Sequence, residues 1–287
     1  MTLFALNASP NEIQKGYDIN ATYQRSPGPL KQSVVDDMHK PERFKTYLGN
    51  EKYYHDFLVF FQREIESKGW QDVLTEYVFA GDERADDLLA RMYGGFLHPI
   101  IHLGFGVEFE QPAIIAEALA QAAVHDAWMA RLFGPCEAAA EKNRGAENKK
   151  TIVQLLEEAR NDEKLRNAAH WEDGNKVRDG VLGRAAEEMI ALAGQYTVSE
   201  DSLDEQTAEM INAAGTFFPS PPFPKQSHTY TFDSLLHSRR STPTAPGQVR
   251  LLLHPLPQQL HLFLYLPVPT FAPPHNEAPP PGIQDLD

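Results

Sequence analysis

The chain has 287 residues, is 42% hydrophobic and carries a formal net charge of −14 from 40 acidic and 26 basic residues. That length can bury one large core or two small ones, while the acidic balance, with no Lys or Arg run longer than a pair, argues against nucleic acid or an anionic membrane as partner. A single cysteine, Cys136, excludes an intrachain disulfide and a cysteine-built zinc site, so a reducing, cytoplasmic setting is expected.

In chain order, Ser9, Pro10 and Glu12 give the first helix start: a capping serine, a proline in the first turn and a capping-box glutamate, predicting a helix to about Ile19. Ser26-Pro27-Gly28-Pro29 is a loop. Asn50 caps a predicted amphipathic helix over 51–68 that stops at Gly69, with Tyr54, Phe57, Leu58, Phe61 and Ile65 on its apolar face. Residues 82–103, 112–133, 151–167 and 177–195 read as further helices, rich in Ala, Leu, Glu and Gln and separated by Gly or Pro. No segment alternates like a strand, and no fixed repeat is present. The expected fold is all-α, a multi-helix globular domain with a proline-rich, irregular C-terminal tail.

The composition changes past Phe218, where fifteen of the 22 prolines lie. The division expected is a helical domain over 1–233 and a disordered tail over 234–287. Leu251-Leu252-Leu253 and residues 260–266 are apolar, unlike an ordinary polar tail. That mixture resembles translated out-of-frame sequence. The apolar run over 251–269 is interrupted by Pro255, Pro257 and Pro267, so no membrane helix is expected.

Chemistry concentrates at His98 and His102. Four residues apart in an apolar run, they project from one helical face about a turn apart and could hold one metal ion or position a flat substrate. Iron would need at least a third protein ligand from another helix. The bland alternative is a pair of core histidines bonded to backbone carbonyls. Pro99 and the glycines at 94, 95, 104 and 106 permit a helix break or a close backbone approach. Glu117, Gln121 and His125 recur every four residues, predicting a polar stripe that could add a ligand or a proton-transfer group. Glu108 and Glu110 suit a helix end, and His55 and His170 suit the surface. Dinucleotide, phosphate-loop and nucleophile-elbow patterns are missing; Gly104-Phe105-Gly106 lacks the third glycine and a preceding strand.

The run Gly95-Phe96-Leu97-His98-Pro99-Ile100-Ile101-His102-Leu103-Gly104-Phe105-Gly106-Val107-Glu108-Phe109, with Glu117, Gln121 and His125 after it, resembles the questin oxidase-like family of fungi. Leu6-Asn7-Ala8-Ser9-Pro10-Asn11-Glu12, Tyr17 and Tyr23-Gln24-Arg25 extend the likeness, which covers about residues 2–233. The resemblance implies an oxidoreductase of secondary metabolism, a monooxygenase performing oxygen-dependent, NADPH-linked Baeyer–Villiger oxidation or ring opening of an aromatic polyketide such as an anthraquinone. It favours His98 and His102 as catalytic or metal-binding residues, with His125 a further catalytic candidate. No flavin-binding pattern is visible, so non-heme iron is the preferred oxygen-activating group.

Two departures from the family pattern are expected to matter. Met1 reads as a late start, and His228-Thr229-Tyr230-Thr231-Phe232-Asp233 enters a family segment that gives way to the proline-rich tail, as a frame change or retained intron near Asp233 would produce. His228 and His237 are therefore left out of the site. The competing reading is a non-catalytic α-helical interaction protein, or an inactive fragment of the oxidase family.

Overall fold

A computed structural model describes residues 2–145 and 149–217. Among them there is no strand, and the all-α expectation holds. The tail expected over 234–287, the suggested frame change near Asp233, and His228 and His237 lie outside the described residues.

Helix α1 (Pro10–Ala21) starts as its sequence demands: Glu12 accepts the Ser9 backbone N–H at 2.8 Å, and the Ser9 hydroxyl accepts the Glu12 N–H at 3.4 Å. It buries none of its residues. The helix predicted over 51–68 opens as a 3-10 turn, Glu51–Tyr53, capped by Asn50, and continues as α2 (Tyr54–Lys68). Gly69 ends it with φ 86°, a conformation open to glycine at little cost. Phe57, Phe61 and Ile65 are buried as expected, and Phe60 joins them.

Those rings pack with Phe44 from Pro41–Tyr47 and Tyr77 from the wide-turn segment Thr75–Phe79 into one aromatic cluster, mostly edge-to-face at centroid distances of 5.2–6.3 Å. Its buried carboxylate, Glu64, accepts from the Tyr77 hydroxyl and from Lys68, each at 2.7 Å. Burial works to raise the Glu64 pKa, but those two hydrogen bonds and the charges of Lys68 and His39 together outweigh it and hold the group below the usual carboxylate value.

The helix expected over 82–103 is two helices. α3 (Glu83–Met92) ends before Gly94, and α4 (His98–Glu108) starts anew and runs past Leu103. Between them Phe96 and Leu97 both take left-handed backbone conformations, φ 55° and 68°. Pro99 therefore sits in the first turn of a helix, where its missing N–H costs nothing. The helix expected over 112–133 is likewise divided into α5 (Pro112–Val124) and α6 (Ala130–Lys142), because His125 turns to extended backbone with ψ 162°.

The break expected near Asn167 comes earlier. α7 (Ile152–Asn161) carries the Thr151/Gln154 capping box, and Asp162 starts a separate turn, Glu163–Arg166. Within 177–195, only α8 (Ala186–Ala193) is a regular helix of two turns. α9 (Leu203–Phe217), Gln32–Asp37, Pro41–Tyr47 and Trp70–Phe79 were not anticipated.

The most extensive packing in the molecule is between α4 and α5, followed by α2 against α5. α5 is thus the central helix, and Ile115, Ala116, Ala118, Leu119, Ala120, Ala122 and Ala123 on it are fully buried. Its alanines let neighbouring helices approach closely. Together, α2, α4 and α5 form the frame of the site.

Candidate functional site

α4 and α5 form an antiparallel hairpin joined at Phe109–Gln111, with the Gln111 N–H donating to the Gly106 carbonyl at 2.7 Å. Where the helices are closest, a Cβ on Gly106 would stand 2.6 Å from Ile115 Cγ1 and 2.9 Å from the Ile115 backbone nitrogen. A side chain there would push the helices apart. The glycine is therefore a packing requirement, as one of its two sequence readings held.

This contact sets the register, with Gly106 opposite Ile115. One turn back along α4, His102 meets Gln121; at the start of α4, His98 comes near His125. A four-residue step on one helix matches a step of similar length on the other, so the same pattern that suggested two separate polar faces brings them together.

The Gln121 amide nitrogen lies 2.7 Å from His102 Nδ1 and 3.1 Å from Glu117 Oε1, and Glu117 Oε1 is 3.8 Å from His102 Nδ1. The His102 and Glu117 side chains retain 37% and 43% of their exposure, so the group can be reached from outside. Tyr54 on α2 lies within electrostatic reach of the Glu117 carboxylate. Burial, with the Glu117 carboxylate adding to it, pushes the Tyr54 hydroxyl up to about 12, so the phenol keeps its proton at neutral pH. Sequence reading placed Tyr54 only on a core face; a phenol where phenylalanines occupy the following core positions was the available signal.

His125 departs from the predicted stripe. The expectation put Glu117, Gln121 and His125 along one helix, but α5 ends at Val124, and only the first two share it. The cause is long-range: an Arg91 guanidinium N–H donates to the His125 carbonyl, and Arg91 is itself held by Asp87 at 3.0 Å. The His125 ring then rests against Gly94 and Gly95. A Cβ on Gly95, whose φ is +50°, would lie 2.3 Å from His125 Cε1. Burial lowers the His125 pKa below its ordinary value; Glu51 opposes this, His98 adds to it and Asp126 opposes it.

His98 is exposed at the start of α4, and His102 is half-buried. Glu108 closes α4 and Glu110 follows with φ 48°, both at a helix end as expected. His170 is exposed, and His55 is a boundary residue with Nδ1 2.7 Å from the Gly28 carbonyl.

Iron requires more donors than this arrangement offers. Among the described residues, no group of three or more His, Cys, Asp or Glu side chains is placed to hold a metal ion, and His102 Nδ1 is already taken up by Gln121. The pair His98/His102 would need a third ligand from outside the described residues, so the donor set present does not fit iron. What the arrangement can do is hydrogen-bond a ligand oxygen, exchange a proton at an imidazole, and place a neutral phenol beside a carboxylate.

No helix among the described residues is long and apolar enough to cross a membrane. In comparisons with known proteins, the family described as questin oxidase-like matches residues 1–261. The chain is 43% identical over 217 residues to a questin oxidase of Aspergillus terreus, covering 75% of this chain and 48% of that protein. A Baeyer-Villiger monooxygenase of Cryptosporiopsis sp. is 43% identical over 221 residues, covering 76% of this chain and 50% of the relative. The oxidoreductase AflY of Aspergillus parasiticus is 37% identical over 241 residues, covering 83% and 48%. The chain spans about half the length of these curated relatives.

Proposed function

We propose, from the premise that this chain belongs to the questin oxidase-like family, that it is an oxidoreductase inserting oxygen beside a ring ketone of an aromatic polyketide such as an anthraquinone. In the overall reaction, the bond between the carbonyl carbon and a neighbouring carbon breaks, and one atom of dioxygen is placed between them. The second oxygen atom leaves as water, with two electrons from NADPH and a proton. The product is an ester or lactone, which water can open.

The observation that carries this reading is the convergence of His102, Gln121 and Glu117 from two helices on a part-exposed face, inside the stretch that bears the family likeness. The relatives described above are oxidases and Baeyer–Villiger enzymes by name. His102 would touch the substrate oxygen, Tyr54 would supply a second neutral hydroxyl donor, and His98 and His125 would line the neighbouring edge. NADPH would supply reducing electrons.

The test is incubation of the chain with an anthraquinone, NADPH and ¹⁸O₂. The expected product gains one ¹⁸O atom in the new ester linkage, and His102→Ala lowers its formation roughly 10²–10³-fold while helix content is retained. No oxygen incorporation from a panel of ring ketones, or full turnover by His102→Ala, would overturn the reading.

A further inference from the structure

We propose that Glu117 and Gln121 are positioning residues that set the tautomer of His102, keeping its single proton on Nε2 so that the neutral ring presents an N–H to a carbonyl oxygen of the substrate. The use of that N–H rests on the function proposed above; the tautomer itself does not.

The side-chain amide nitrogen of Gln121 carries two hydrogens and accepts nothing, whereas the amide oxygen accepts and donates nothing. The atom of Gln121 that lies 2.7 Å from His102 Nδ1 also lies 3.1 Å from a carboxylate oxygen of Glu117. Were the amide turned over, its oxygen would face the Glu117 oxygen at hydrogen-bond distance, two acceptors with no hydrogen between them. The carboxylate therefore selects the amide orientation, resolving the ambiguity that normally attends glutamine. With one N–H of Gln121 given to Glu117, the other points at His102 Nδ1, which must accept it through its lone pair. A neutral imidazole that accepts at Nδ1 carries its hydrogen on Nε2.

Two chemical consequences follow. A ring fixed in this way is a hydrogen-bond donor at Nε2, the arrangement in which a neutral histidine polarises a carbonyl without surrendering a full proton. The same ring has no lone pair at Nε2 to offer a metal ion. The half-open position of the His102 side chain leaves the donor reachable. A hydrogen on Nδ1 would face the Gln121 N–H donor to donor, which disfavours the other tautomer. In Gln121→Glu this preference reverses, because a carboxylate at 121 accepts from Nδ1–H.

The experiment is proton–nitrogen correlation NMR of the histidine rings in the full chain labelled with ¹⁵N-histidine, with His102 assigned by its absence in His102→Asn. Near neutral pH the wild type is expected to show a protonated Nε2 and an unprotonated, hydrogen-bonded Nδ1. Gln121→Glu should move the proton to Nδ1 or yield the doubly protonated ring, and Glu117→Gln should give a mixture of tautomers. An Nδ1–H or imidazolium signature in the wild type overturns the proposal by itself, even if no variant folds. An unchanged Nε2–H signature in folded Gln121→Glu overturns the role of Gln121. If the wild-type tautomer is found but no ring ketone is oxidised, the failure belongs to the function and not to this inference.

Discussion

The aromatic cluster around α2 and the α4–α5 hairpin use the same kind of helix for opposite ends. In the cluster, Phe44, Phe57, Phe60, Phe61 and Tyr77 fill space with fully buried or nearly buried rings, and the buried Glu64 carboxylate is paired with Lys68 and Tyr77. The hairpin and the segment leading into it instead hold three non-glycine residues with left-handed backbone, Phe96, Leu97 and Glu110, and three glycines, Gly94, Gly95 and Gly106, against which a neighbouring side chain packs, and they leave polar groups part-exposed. Strained backbone of this kind costs roughly 1–3 kcal/mol per residue and persists only where surrounding structure enforces it. The cluster supplies stability, and the hairpin spends some of it on arranging chemistry.

The sharpest way to break that contrast is Phe61→Ala. Phe61 is fully buried among four other rings, so truncation should remove about 3–5 kcal/mol of stability, read as a lower urea midpoint, while the His102 ring signals of the remaining folded protein stay unchanged. His102→Ala should do the reverse: a fall in turnover of roughly 10²–10³-fold, the scale for losing one aimed donor, with the urea midpoint almost unmoved because the side chain is 37% exposed. If His102→Ala unfolds the protein instead, the division between the two regions is wrong.

Gly106→Ala tests both regions at once. Its Cβ would press on Ile115 at 2.6 Å, and overpacking of this kind costs about 1–3 kcal/mol. Because α5 must shift away, the His102–Gln121 hydrogen bond should weaken as well, visible as a change in the His102 ring nitrogens; a stability loss without that change would separate packing from site geometry.

The smallest effect concerns acid. Burial lowers the folded-state pKa of His125 below its unfolded value, so the unfolded chain binds the proton more readily. Stability from this group is complete above the unfolded value and declines as pH falls from there through the lowered folded value. His125→Gln should therefore flatten the loss of stability below about pH 6.5, the ordinary histidine value, in urea titrations at successive pH. An unchanged slope would remove His125 from the buried, neutral role.

Helix type and helix starts were legible because they are local. Ser9 with Glu12, Asn50, and Thr151 with its Gln154 partner cap what their neighbours predict. The helix breaks at 93–97 and at His125 were not fully legible, since their causes are distant in sequence: Arg91 reaches 34 residues along the chain to the His125 carbonyl, and that link holds the ring against Gly95. Left-handed Phe96 and Leu97 carry no propensity signal at all. In the site, His98, His102, Glu117 and Gln121 were visible as spacings, but their pairing across helices depended on the register that Gly106 imposes. Tyr54 was hidden by its own apolarity. It satisfied the pattern of a core face, and only the electrostatic reach of Glu117 links its hydroxyl to the polar group.

Between the Gly106–Ile115 contact and Gln121 lie residues 116–120 of α5, and their number sets which way Gln121 faces. One residue added among them would carry Gln121 along the helix axis by about 1.5 Å and rotate it by roughly 100° relative to the packed Ile115. Gln121 would then turn away from His102, although every side chain of the site remained in the sequence. A chain could thus keep all its polar residues while losing their meeting point through one inserted codon.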